Sequence, residues 1–320
     1  MDTFLHAVRL RAADSAQPTL FNAHALALAM AAHDRLGAHA GSLHKVAASH
    51  DVLLRICSFC SWSARLVGYH AQKVIVVPDD APTLAAALRQ ASPWQHIIFR
   101  RGYHRINARD DGVPGSSRLV MRLHAPVRMS GEAGAVLRGN IVVGQACPSG
   151  SISDLVIEDS GDCCLRLEGG AWEIRRVNMF SGHGAALKVV NHAHADLDDC
   201  IIGGDSLLRP VHALVVQDRA SVIVKETILQ NCSSAALLTT HRSHVKLEGC
   251  DVEFCAAGVL AGTGGGGGVL RVRDCTFNDC TARDGRSGFW FDLDRPRDFV
   301  VTDTEENGLP IDMRRPGAVY

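Results

Sequence analysis

Few side chains in this sequence stand at spacings that chemistry requires. Asp198 and Asp199 are the only adjacent Asp pair in its repeated middle section, where two carboxylates could share acid and base work or bind a cation. Calcium takes about six to eight oxygen ligands, so this pair alone is too small a set for it. Their strand positions between the inward-type Leu197 and Cys200 put one or both of them on a solvated face. Cys57 and Cys60 form a single C-x-x-C pair, with no second Cys or His pair to complete a tetrahedral zinc site. The run Gly264–Gly268 is not followed by the Lys-Ser or Lys-Thr of a phosphate cradle and reads as a loop. Sixteen histidines are scattered without metal-ligand spacing, and neither a metal nor another cofactor is expected. Asp162 in SGDCC and His183 in FSGHG fall one repeat apart, each in a turn that carries glycine.

The elements that must position these groups are set by a repeat. Six segments read ISDLVIEDSGD, IRRVNMFSGHG, LDDCIIGGDSL, VKETILQNCSS, LEGCDVEFCAA and VRDCTFNDCTA, starting at Ile152, Ile174, Leu197, Val224, Leu247 and Val272. Their period of 22 to 27 residues, with short strands and turn residues, is that of a solenoid. Apolar or small residues recur three and five places after each start. The first of these columns is Leu155, Val177, Cys200, Thr227, Cys250 and Cys275. In a parallel β-helix each strand pairs with the next coil about 4.8 Å away, so equivalent side chains stack inside the cylinder while the intervening charges face out. The leucine-rich-repeat pattern is absent, and the segments are too short and too rich in Val, Ile, Thr and Cys for helical repeats. The expected fold is an all-β solenoid, a right-handed single-stranded parallel β-helix, with a helical region at its N-terminal side.

Composition narrows the function classes. Thirty-three basic residues against 34 acidic ones, without a Lys/Arg cluster, leave no basic face for phosphates, so no nucleic acid partner is expected. No run reaches membrane-spanning length, and the first residues lack the apolar core of a secretory signal. The expectation is a cytoplasmic or nuclear protein without membrane contact. Eleven cysteines then read as small buried hydrophobes in a reducing compartment. Cys232, Cys255 and Cys280, each five places after an inward position, make a second expected ladder.

Outside the repeats the pattern changes. Residues 22–36 have Asn22 as an N-cap, many Ala and Leu, and Gly37 as a stop, which predicts a helix. A second helical stretch covers Asp51 to Cys60. From Val74 the chain reads as strand, turn, short helix beginning at Pro82-Thr83, strand and turn. This predicts a helical region over 1–73 that is either F-box-like or a cap on the solenoid, the β-helix over 74–294, and a polar cap or tail over 295–320.

The segments PTLAAALRQASPWQHIIFRRGYHRI and HAPVRMSGEAGAVLRGNIVV, the latter with its Ser130-Gly131-Glu132 turn, resemble the opening coils of right-handed β-helix proteins of the pectin-lyase type. Arg101-Gly102-Tyr103 stands where that family has a P-G-x-Y turn. The resemblance runs over about residues 74–294 and implies fold far more than activity. Within it, Asp162 and His183 are similar in spacing and context to the Asp-Asp-Cys and Gly-His-Gly motifs of polygalacturonase-like hydrolases. Gly161 occupies the place of the first Asp, and Asn140-Ile141-Val142 replaces an Asn-Thr-Asp motif. Such hydrolases need two carboxylates at the bond, and the resemblance supplies Asp162 with His183 as the catalytic candidates.

SHDVLLRICSFCSW, residues 49–62, resembles the start of an F-box, a helix that docks the Skp adaptor of cullin ubiquitin ligases. The resemblance implies a docking face of Val52, Leu53, Ile56 and Phe59, and F-box chains that carry β-helix repeats are a known combination. The resulting expectation is a non-catalytic recognition scaffold that binds a protein or glycan on the β-helix surface, with a ubiquitin-ligase substrate adaptor as its sharpest form. A polysaccharide hydrolase or lyase is the alternative.

Overall fold

The computed structural model describes residues 74–106, 120–159, 161–205, 207–240, 242–261, 268–280, 289–291 and 298–313. Among these residues the chain winds as a parallel β-solenoid of eight coils, each contributing one strand to each of three sheets. Strand Ile75–Val77 opens the first sheet ahead of the coils and pairs with His96–Phe99. Between them lies one helix, Leu84–Gln90, where the Thr83 side chain accepts a hydrogen bond from the Ala86 N–H. Its buried Leu84, Ala85 and Ala87 lie against the end of the cylinder. The expected helices over 22–36 and 51–60 lie outside the described residues.

The coil alignment read from the sequence is the register of the first sheet. Ile152, Ile174, Leu197, Val224, Leu247 and Val272 are direct partners from coil to coil, and the row continues to Val301. The columns three and five residues later are buried throughout, from Leu155 to Cys275 and from Ile157 to Phe277. Trp172 is fully buried because its register partner one coil earlier is Gly150, where a side chain would run into the indole ring.

The sharp corner between first and second sheets explains the Asp and Cys columns. Asp154, Arg176, Asp199, Glu226, Gly249, Asp274 and Asp303 all have left-handed φ, a region in which Asp and Asn are enriched among non-glycine residues. From Asp154 to Asp274 each of these residues donates its N–H to the next coil. The residue after the corner points inward, and where it is Cys or Thr its side chain donates to the carbonyl two residues back. Cys200, Thr227, Cys250, Cys275 and Thr304 do this in successive coils. Asp199 is thus an exposed corner residue rather than part of a strand. A second corner repeats the device, with left-handed Asn231, Phe254 and Asp279 followed by buried Cys232, Cys255 and Cys280.

The solenoid does not stop at residue 294. Strand Asp298–Glu306 adds a further rung to the first and second sheets. It then turns at Asn307-Gly308, both of left-handed φ, into the antiparallel strand Leu309–Met313. The Asn-Gly pair is a two-residue hairpin signal.

Candidate functional site

The third sheet carries a mixed cluster of polar side chains. Its inward row, Ile141, Leu165, Leu187, Leu214, Leu237 and Val259, is in register and fully buried. Because side chains alternate across a strand, the next residues form an outward row of Arg122, Val142, Arg166, Lys188, Val215, Leu238 and Leu260. Two residues before the inward row, Cys163, Ala185 and His212 are also in register, with Cys163 and Ala185 fully buried. Side chains from successive coils therefore stand side by side, which sequence distance conceals.

Asp162 lies at the entry to this sheet. Its carboxylate receives both Oδ1 and Oδ2 hydrogen bonds from Lys188 Nζ, at 3.0 and 2.9 Å. The backbone there is equally constrained. Gly184, one coil on, has φ +48°, and a Cβ on it would run into the Asp162 carbonyl oxygen. That carbonyl in turn accepts the Ala185 N–H at 3.0 Å. The second Gly of the GHG segment, Gly184, is thus required by packing against the coil below.

Three groups complete the cluster. His212 is half-buried, with Nδ1 3.1 Å from the Ala235 carbonyl oxygen. Burial lowers its pKa below the usual imidazole value, and the Lys188 charge acts in the same direction, so the ring is neutral at neutral pH. Burial pushes the Cys163 thiol up to about 12, which makes it a poor nucleophile. Arg166 is ion-paired with Glu168 at 2.9 Å.

Residues 140–294 match the protein family described as the right handed beta helix region. The chain carries a right-handed β-helix. No curated protein matches it in sequence. Among solved structures, the deglycosylated pectin methylesterase from Aspergillus niger is similar with TM-score 0.50 and 10% identity, over 77% of this chain and 91% of that one. The rice weevil pectin methyl esterase gives 0.48 and 12%, over 73% and 88%. The pectin methylesterase of Erwinia chrysanthemi gives 0.44 and 14%, over 75% and 90%. At these identities the likeness is one of fold.

In this β-helix Asp162 and His183 occupy the same corner of adjacent coils, but the carboxylate is held by Lys188. His183 is exposed, and its backbone carbonyl accepts the Ser181 hydroxyl at 2.7 Å. Lys188 and His212 carry no sequence signal of their own, because the third-sheet segments CCLRL, AALKV and HALVV share little beyond their aliphatic positions. A second carboxylate also escapes it. A Cβ on Gly161 would lie 3.0 Å from Asp159 Oδ2, so the Asp159 carboxyl group stands beside the place where the resemblance expects the missing Asp. Among the described residues no group of three His, Cys, Asp or Glu side chains is placed to hold a metal ion. Val52, Leu53, Ile56 and Phe59, Cys57-x-x-Cys60 and most of the glycine run at 264–268 lie outside the described residues.

Proposed function

We propose that this β-helix is a carbohydrate-active protein. It lays a polysaccharide across successive coils of the third sheet and hydrolyses it with Asp159 and Asp162 as the carboxylate pair. The observation that carries this reading is the corner at Gly161, where the absence of a side chain leaves room for the Asp159 carboxyl group in the same turn that presents Asp162. Glycosidic hydrolysis takes one carboxyl group as acid and a second as base or nucleophile. Asp162, whose oxygens already receive the Lys188 ammonium protons, takes the base or nucleophile role. Asp159 takes that of proton donor. The neutral His212 ring and the Arg166 and Arg122 side chains along the outward row supply contacts for hydroxyl and carboxylate groups of a sugar chain. The fold likeness to the Aspergillus niger pectin methylesterase supports a carbohydrate ligand as an analogy of fold.

The test counts new reducing ends after incubation with polygalacturonate, its methyl ester and neutral glucans. Turnover of at least one is expected. Asp162→Asn and Asp159→Asn should each lower the rate by about 10²-fold or more, with binding in affinity electrophoresis kept within a few-fold. Turnover that neither substitution changes would remove the assignment. The Lys188 clamp on both Asp162 oxygens favours a second reading, non-catalytic recognition of a glycan. It predicts binding without turnover, abolished by Lys188→Glu.

A further inference from the structure

We propose that the outer face of the first sheet holds a separate acyl-transfer site in which Ser221 is the nucleophile, His194 its base and Asp196 the residue that positions the imidazole. His194 and Ser221 are register partners on adjacent coils, and His194 Nδ1 lies 2.6 Å from Ser221 Oγ. His194 Nε2 lies 3.1 Å from Asp196 Oδ1, two residues along the same strand and on the same face. With Nε2–H donating to Asp196, Nδ1 keeps its lone pair and accepts the Ser221 hydroxyl proton. This is the relation of nucleophile, base and orienting carboxylate that serine hydrolases use on unrelated folds, recognised by geometry rather than by order in the chain. Here that order is His, Asp, Ser within 28 residues. It arises because strand alternation puts His194 and Asp196 on one face and the coil repeat brings Ser221 beside them.

The substrate class follows from the surroundings. All three side chains lie on an open sheet face, so a carboxylic ester reaches Ser221 from solvent and water is the second reactant. The Ser221 N–H is bonded to the Ala193 carbonyl at 3.0 Å, so that N–H is not available to an oxyanion. His244, the register partner of Ser221 on the following coil, is exposed and offers a ring N–H from the opposite side. In the first step the Ser221 Oγ–carbonyl carbon bond forms while its proton passes to His194 Nδ1. The ester C–O bond then breaks, and the departing alcohol takes that proton. Water adds to the acyl-serine, gives a proton to His194 and releases the carboxylic acid, and the proton returns to Ser221. With one side-chain donor in place of a backbone oxyanion hole, the expected behaviour is fast acylation of the serine relative to other surface serines, with slow turnover.

The experiment treats the full-length protein with a fluorophosphonate probe and maps the modified peptide by mass spectrometry, with a p-nitrophenyl acetate burst as a second readout. Label on Ser221, lost in Ser221→Ala and slowed by about 10²-fold in His194→Gln, is expected. Asp196→Asn should lower the maximal inactivation rate about ten-fold without changing the probe concentration that half-saturates it, a split that a merely structural role would not produce. Thermal melts of each variant should match the parent, since all three positions face solvent. Asp162→Asn should label normally, which separates this site from the third sheet. An unlabelled Ser221, or labelling at the parental rate in His194→Gln, would overturn the proposal.

Discussion

Gly184 shows how tightly single positions are held in this fold. Its left-handed φ and the carbonyl of Asp162 directly beneath it forbid a side chain. Gly184→Ala should therefore cost about 2–4 kcal/mol, the sum of a left-handed alanine and a displaced neighbouring coil. Gly249 is a contrast. It also has left-handed φ, but the nearest atom a Cβ would meet is the Glu226 side chain at 3.8 Å, and the same corner in other coils holds Asp199, Glu226 and Asp274. Gly249→Asn should change stability by less than about 0.5 kcal/mol. Urea unfolding of both variants checks this pair, and equal losses at the two positions would contradict it. At this scale the sequence was only partly legible. Glycine in FSGHG could be seen, but the atom that makes it obligatory belongs to another coil.

The corner is the element that repeats most faithfully. Its buried Cys and Thr side chains satisfy themselves by donating to the carbonyl two residues back, and Cys250 also reaches the Val224 carbonyl of the preceding coil at 3.5 Å. A hydrogen bond with Cys275 together with burial pushes the Cys250 thiol well above its ordinary range, so Cys250 stays protonated and unreactive in the native state. Cys250→Ser keeps a small donor and should cost about 1 kcal/mol. Cys250→Asp buries a carboxylate with no basic partner and should cost about 3–5 kcal/mol. Thermal unfolding of the two variants distinguishes them, and a well-folded Asp variant would show that the column is not sealed from water. The Cys ladders were legible in sequence because one residue type recurs at one phase. Lys188 and His212 were not, since their importance comes from three different residue types meeting at neighbouring coils.

A solenoid is stabilised mainly between neighbouring coils, so its ends are where it is vulnerable. The last parallel rung, Asp298–Glu306, is covered by the antiparallel strand Leu309–Met313, which occupies hydrogen-bonding groups that would otherwise recruit another chain. Deletion of residues 307–320 should therefore produce concentration-dependent self-association in sedimentation velocity, absent from the full-length protein. A truncated chain that remains monomeric would remove the cap from its assigned role. The sequence by itself determined the solenoid, the phase of its inward columns and the register of the first sheet, because a period near 23 and two-residue alternation are local and survive without any knowledge of distance. Only the tertiary structure decided which outward residues meet. Asp159 beside Gly161, Lys188 on Asp162 and His194 between Ser221 and Asp196 all depend on corner lengths and side-chain reach between coils. Such contacts join residues from different segments with no shared pattern, so no single stretch of sequence announces them.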